Sequence, residues 1–428
     1  MAGLAEWLAR IEAGHPRGSD GIELGLDRVA AVKEALGQHK TCPVILVGGT
    51  NGKGSTCAML ERVFASAGYR VGLYTSPHLL QYNERVRIAL QSVSDDALCT
   101  AFARVEAARN AHSLTYFEFG TLAAWEVFAA EALDVVILEV GLGGRLDATN
   151  VYDPDVSVVT TVDLDHMEFL GSNREAIGRE KAGIFRPSIP VVCGDQNPPA
   201  SLVAHALEIG APLFQMGRDF GYLRQEQQWL FWTQGHGSKE SSRRGGLAHP
   251  GLRGTNQLAN AATTLQVIDL LHDCLPVAMK DVRQGLIDVE LAGRFQVLPG
   301  RPTIVLDVAH NPQAARTLAD NLGNTGFHPR TFAVFGMLAD KDIDQVIDAV
   351  KGQITDWLPV TLEGRRAASA DFLAKRLAAT QSTIAGQFDS PVHALRYAQE
   401  QAGEDDRILV FGSFLTVAAV LAALGRTV

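Results

Sequence analysis

The stretch VGGTNGKGST, Val47 to Thr56, decides the fold. It follows the apolar run PVIL and opens the helix-like segment Ser55–Ala67, which is the strand–turn–helix context a phosphate-binding loop requires. Glycines let backbone N–H groups turn inward around phosphate oxygens, and the helix N-terminus adds a favourable dipole. The usual pattern puts a hydroxyl residue directly after the lysine. Here Gly54 separates Lys53 from Ser55, so the stretch is either a chance glycine-rich turn or a distinct variety of nucleotide loop.

Working outward, RVGLYTS, LDVVILEVG and DVSVVTTVD are apolar runs of buried-strand length, with helical patterns such as Ser94–Arg109 and Thr121–Glu131 between them. This alternation predicts an α/β fold with a parallel sheet covered on both faces, and ligands at the carboxyl ends of its strands. QQWLFWT predicts antiparallel strands, and the polar GHGSKESSRRGG predicts an exposed hairpin-type loop with Arg243 and Arg244 solvated. Helical patterns follow at Thr255–Leu271 and Met279–Asp288. A second series, TIVLDVAHN, TFAVFGMLAD, WLPVTLE and RILVFGS, then predicts a smaller Rossmann-like α/β domain, joined at LAGRFQVLPGRP. The expected boundaries are 1–289 for a P-loop-type ATPase domain with a small antiparallel subsection, and 290–428 for the C-terminal domain.

A chain of 428 residues exceeds the usual size of a single core. With 46% apolar and 20% charged residues, it reads as globular rather than disordered. The net charge of −10 argues against a nucleic-acid footprint, so cations for any anionic ligand must be locally concentrated. No apolar run approaches the roughly 18 residues of a membrane span. The N-terminus MAGLAEWLARIEAGHP does not read as a signal peptide, so a cytoplasmic protein with no membrane partner is expected. Five scattered cysteines predict buried thiols rather than disulfides or a metal site.

Candidate chemistry follows the strand ends. In the loop itself (Gly49, Thr50, Asn51, Gly52, Lys53, Gly54, Ser55, Thr56), Lys53 suits phosphate and Ser55 suits Mg²⁺. Glu139 ends LDVVILE and is either a metal-organising acid or an ion-paired one. His166 in TVDLDHMEFLG either binds metal or caps its turn; Lys181 in REKAGIF sits where a lysine is normally exposed. Arg85 and Arg87 in TSPHLLQYNERVRI alternate with apolar residues, which predicts one shared strand face suited to carboxylate or phosphate. Pro77 marks a loop of the closing kind. In the second series, Asp307, His310 and Asn311 end a strand, and Arg294 falls in the inter-domain segment, where a cation could neutralise transferring phosphate.

Taken together, GTNGKGS, SPHL with ERVRI, EVGLGGRLDATN, DHMEFLG, REKAGIF, AGRFQ and DVAHNP occur in this order and closely resemble the folylpolyglutamate synthase family, a branch of the Mur-ligase-like amide ligases. The inserted Gly54 is then a feature of the family's own loop. The resemblance implies that ATP phosphorylates a pterin-borne carboxylate to an acyl phosphate, which the amine of L-glutamate attacks. It implies Lys53 on phosphate, one Mg²⁺ on Ser55 and Glu139, a second on His166, and Lys181 as a CO₂-derived carbamate, with a monovalent cation as a further possible cofactor. Arg294 would contact phosphates, Asp307 and His310 the nucleotide, and Asn256 the adenine side, although TNQ stands where relatives carry His-Asn or His-Gln. Ser76, Pro77, His78 and Arg85 would meet the folate. LTYFEFGT and RLDATN resemble the bifunctional bacterial members, in which Thr115, Phe117 and Asp147 hold the pterin of dihydropteroate. ATP, L-glutamate, dihydropteroate and reduced folates are the partners implied, acting on a monomer. The alternatives are a monofunctional member, a cell-wall Mur ligase or, in a different class, a P-loop GTPase switch; no Asn-Lys-x-Asp motif supports the last.

Overall fold

The structure, a computed structural model, describes residues 3–15, 23–235 and 241–426. The chain forms two compact units: Met1–His78, Tyr82–Gly251 and Leu258–Val289 make one, and Leu79–Gln81, Leu252–Gln257 and Glu290–Val428 make the other.

The first unit is built on eight strands: β1 (Val44–Gly48), β2 (Val71–Tyr74), β3 (Val86–Ile88), β4 (Gln91–Ser92), β5 (Val135–Glu139), β6 (Val156–Val159), β7 (Val191–Cys193) and β8 (Leu213–Gln215). Their spatial order is β4-β3-β2-β5-β1-β6-β7-β8. β3 runs antiparallel to β2 and β4, and the remaining pairs are parallel. Every residue of β1 and β5 is buried, as continuous apolar runs require when helices cover both faces. The helix Lys53–Ser66 leaves β1 through the glycine turn.

Three elements of this unit differ from the sequence expectation. The helix expected at Thr121 begins at Tyr116, because Thr115 and Glu118 form a reciprocal capping box at its start. Arg85 closes a 3₁₀ turn, Tyr82–Arg85, so it does not share a strand face with Arg87, whose guanidinium is taken by the buried Glu61. The pair Arg243–Arg244 lies in a strand: β9 (Phe220–Arg224), β10 (Gln228–Thr233) and β11 (Ser242–Ala248) form an antiparallel sheet. Pairing with β10 and burial of Leu247 override the glycine-rich composition, and Arg244 spans the Phe231 ring to reach Asp269. The middle of the expected loop, 236–240, lies outside the described residues.

Among the described residues the second unit has five strands, β12 (Gln296–Leu298), β13 (Thr303–Asp307), β14 (Thr331–Phe335), β15 (Asp356–Pro359) and β16 (Arg407–Phe411), ordered β12-β13-β16-β14-β15. The last four are parallel; β12, inside the segment expected to be only a joint, is an antiparallel edge on β13. Phe335, Trp357 and Phe411 pack together in its core. Cys274 is exposed, against the expectation of buried thiols; Cys57, Cys99 and Cys193 are buried. Among the described residues no helix is long and apolar enough to cross a membrane.

Candidate active site

The loop after β1 is shaped by two glycines that no other residue could replace without strain. Gly49 has φ 143°, and a Cβ there would lie 1.9 Å from Thr160 Oγ1; Gly52 has φ 89°, and its Cβ would lie 2.7 Å from Asn260 Oδ1. The loop is strapped to the segment following β6. Thr50 N–H donates to Thr161 O at 2.7 Å, Thr160 Oγ1 to Asn51 O at 2.6 Å, and Asp163 N–H to Thr50 Oγ1 at 3.0 Å. Lys53 Nζ folds back onto Gly49 O at 3.0 Å and Thr50 O at 3.1 Å. Ser55 and Thr56 are buried in the first turn of a helix that begins at left-handed Gly52 with no side-chain cap.

Glu139 ends β5, whose register sets it opposite Val47 of β1. Thr75 Oγ1 and the Ser76 N–H, the latter at 3.1 Å, both donate to Glu139 Oε2 and fix the carboxylate. Thr75 is a residue that motif reading missed; its position directly after β2 was the available signal. His166 adopts the left-handed conformation, φ 48°, which is uncommon for a non-glycine residue and marks a constrained position. Its N–H donates to Asp165 Oδ1 at 2.9 Å.

Lys181 stands in the last turn of the helix Arg174–Ala182 and is only 4% exposed. Burial pushes its amine down to about 7; the Lys53 cation lowers it further, while Asp165 and Asp147 act in opposition. These four side chains therefore share one electrostatic environment. The buried Asp147 accepts from Leu142 N–H at 2.8 Å and from Thr149 N–H and Oγ1 at 3.0 and 2.6 Å. Burial raises its carboxyl above the usual range, against those hydrogen bonds. Phe117 covers Gly141, where a Cβ would meet the ring at 2.6 Å, and Thr115 Oγ1 is engaged as the helix cap. Arg85 Nε donates to His78 Nδ1 at 2.8 Å and its guanidinium lies over Tyr82 and Tyr116. Burial, then the arginine charge, push His78 down to about 4, so it is neutral near pH 7.

In the second unit, Asp307 at the end of β13 accepts from Phe295 N–H and Ala309 N–H, each at 2.8 Å. Burial raises its carboxyl, with Arg294 opposing. His310 Nδ1 donates to Val308 O at 2.8 Å, a bond that assigns the proton because a carbonyl only accepts. Arg294 lies over the Phe414 ring at 5.1 Å, and His310 is 6.2 Å from the same ring. Asn256 belongs to this unit, in a turn held by Thr255 N–H donating to Asn321 Oδ1 at 2.8 Å.

Among the described residues no group of three or more His, Cys, Asp or Glu side chains gathers as a metal site. That is compatible with Mg²⁺, which takes one or two carboxylates and completes its shell with water and phosphate oxygens. The hydroxyl of Ser55 and the single fixed carboxylate of Glu139 suit such an ion.

This combination of parallel sheet, glycine loop and neighbouring strand-end acid is that of a P-loop-type nucleotide-binding enzyme. Residues 47–267 match the Mur ligase middle domain, and residues 293–414 match the Mur ligase glutamate ligase domain. The chain is 44% identical to the dihydrofolate synthase/folylpolyglutamate synthase of Escherichia coli (strain K12), covering 98% of this chain and 94% of that relative. A solved structure of E. coli FolC in complex with DHPP and ADP superposes with a TM-score of 0.92 at 42% identity, covering 99% of this chain and 98% of that one. A crystal structure of a bifunctional folylpolyglutamate synthase/dihydrofolate synthase with Mn, AMPPNP and L-glutamate bound gives 0.90 at 44% identity, again covering 99% and 98%. The chain belongs to the dihydrofolate synthase/folylpolyglutamate synthase family of ATP-dependent glutamate ligases.

Proposed function

We propose that this protein joins L-glutamate both to dihydropteroate, making dihydrofolate, and to the glutamate tail of reduced folates. In each case a carboxylate oxygen of the acceptor attacks the terminal phosphorus of ATP and releases ADP. The amine of L-glutamate then attacks the acyl carbon, inorganic phosphate leaves, and the nitrogen loses its proton. The observation that carries the chemistry is the strand-end cluster of the first unit: an uncapped helix behind Gly52, Lys53 on the loop carbonyls, Glu139 one strand away, and a buried Lys181.

Lys53, Arg294, Asp307, His310 and Asn256 are assigned to the nucleotide, and the Thr115–Phe117–Asp147 region and Ser76–Arg85 to the acceptor. Ser55 and Glu139 would hold one Mg²⁺, and His166 with Lys181 as its carbamate a second; bound there, the ions neutralise phosphate charge as Lewis acids. Carbamylation needs a neutral amine, which attacks CO₂, forms the N–C bond and releases one proton. An amine near 7 supplies that form at neutral pH, where an exposed lysine does not.

The test is ADP release with ATP and L-glutamate, comparing dihydropteroate and tetrahydrofolate as acceptors. Both should support turnover; activity with tetrahydrofolate alone makes the enzyme monofunctional. Lys53→Ala, Glu139→Ala and His166→Ala should each abolish ligation while the circular dichroism of the fold persists, and near-normal turnover removes that residue from the scheme. Intact mass under CO₂ should show one added carboxyl group, lost in Lys181→Met.

A further inference from the structure

The segment between β6 and His166 has two sides, and only one is explained by the nucleotide loop. Thr160, Thr161 and Asp163 bond the loop at Thr50 and Asn51. Between them the buried Val162 has its backbone gripped from elsewhere. Its N–H donates to Asp195 Oδ2 at 2.9 Å, and its carbonyl accepts from Arg174 Nε at 2.8 Å. Arg174 and Asp195 are themselves joined, Nη2 to Oδ2 at 3.2 Å, which closes a ring around one peptide residue. Arg174 Nη2 also donates to Asn197 O at 2.9 Å, and Asn197 N–H returns to Asp195 Oδ1 at 2.9 Å. Three residues beyond Val162 come Asp165 and then His166, held at φ 48°.

We infer that Arg174 and Asp195 are positioning residues for the metal-binding side of the reaction: by clamping both backbone groups of Val162 they fix the segment that presents His166 and backs the phosphate loop. Arg174 is also the first residue of the helix whose last turn carries Lys181. The clamp therefore ties the His166 segment to the element bearing the other proposed ligand of the second metal. Only arginine has the planar fork to donate to a carbonyl and a carboxylate from fixed directions; lysine carries the charge without that geometry. A clamp of this kind acts without touching substrate, as partners that orient ligands do, and the loss of such a partner typically costs about 10- to 100-fold in metal affinity.

The inference rests on the assignment of His166 to metal, and the experiment separates the two. Mn²⁺ is titrated into the full-length protein with AMPPNP and free Mn²⁺ is read by electron paramagnetic resonance, so that turnover is not the readout. Amide hydrogen exchange over 160–170 is followed in parallel. Arg174→Ala and Asp195→Ala should weaken by about 10-fold the Mn²⁺ equivalent that His166→Ala removes, and should raise exchange over 160–170. Arg174→Lys should behave like Arg174→Ala, whereas Asp195→Asn, which keeps an acceptor for Val162 N–H, should recover much of the affinity. A general loss of stability instead lowers the melting temperature and leaves the Mn²⁺ affinity of the folded protein unchanged. Unchanged affinity in Arg174→Ala alongside a weakened His166→Ala overturns the positioning role alone. Unchanged affinity in both overturns the metal assignment of His166, and the positioning role falls with it.

Discussion

Two strand–turn–helix junctions carry the proposed nucleotide chemistry, one in each unit, and they treat their polar groups in opposite ways. After β1, the chain turns through Gly49 and left-handed Gly52 into a helix that no side chain caps. After β13, Asn311 caps the helix Pro312–Gly323 by accepting from Ala314 N–H at 2.9 Å, and Pro312 removes a further donor. The first junction keeps its helix dipole available to an anion, while the second closes its helix and presents Asp307 and His310 instead. The buried charges follow the same division. Asp307 accepts from two backbone N–H groups, whereas Lys181 is buried with a second cation acting on it.

Substituting Lys181 is the strongest way to break this contrast. With its pKa lowered from 10.5 to about 7, the unfolded chain binds more protons than the folded one between those values, so stability should rise with pH across that window. Below about 7 the destabilisation is complete. In CO₂-free buffer at pH 6, Lys181→Met should be more stable than the parent by on the order of 3–5 kcal/mol, and urea titrations should show the gap closing toward pH 10. Equal stability at pH 6 and pH 10 in both proteins dissolves the contrast. Next in size, Gly52→Ala sets a Cβ against Asn260 and should lower kcat/KM for ATP by about 100-fold. Asn311→Ala removes only a cap: a loss of about 1 kcal/mol by thermal melts, with the KM for ATP within twofold, is expected. A larger change in that KM than in stability would make the Asn311-capped helix start, and not only Asp307 and His310, part of the nucleotide contact. Smallest of all, Arg244→Ala in the antiparallel sheet should cost under about 1 kcal/mol and leave turnover intact.

The apolar runs of the central strands were legible in the sequence because a strand buried on both faces has nothing else to be. So was the loop, whose glycines are set by local backbone needs. The start of the helix at Tyr116 was also written locally, in the Thr115–Glu118 spacing, but the uniformly apolar run beyond it hid the boundary. Arg85 and Arg87 show the limit of periodicity: one backbone change between them puts one arginine on His78 and sends the other to Glu61, 26 residues away. Arg174 and Asp195 could not be read from motifs at all, and Thr75 only from its place directly after β2. Their partners are a carboxylate and a peptide brought near only by the sheet order, and no spacing along the chain encodes that.

The pairing of β5 with β1 carries a consequence for folding fidelity. Val47 and Glu139 stand side by side at the ends of adjacent parallel strands, so hydrogen-bond register aligns the acid with the loop proposed to hold phosphate. A slip of one residue in β5 would turn Glu139 to the opposite face of the sheet and bring Leu138 or Val140 to its place. Both neighbours are buried and apolar, so the same slip would drive a carboxylate into the packing layer. The alignment proposed for catalysis is thus proofread by the core: a chain that misplaces its acid also misplaces its hydrophobic side chains, and the less stable fold reports the error.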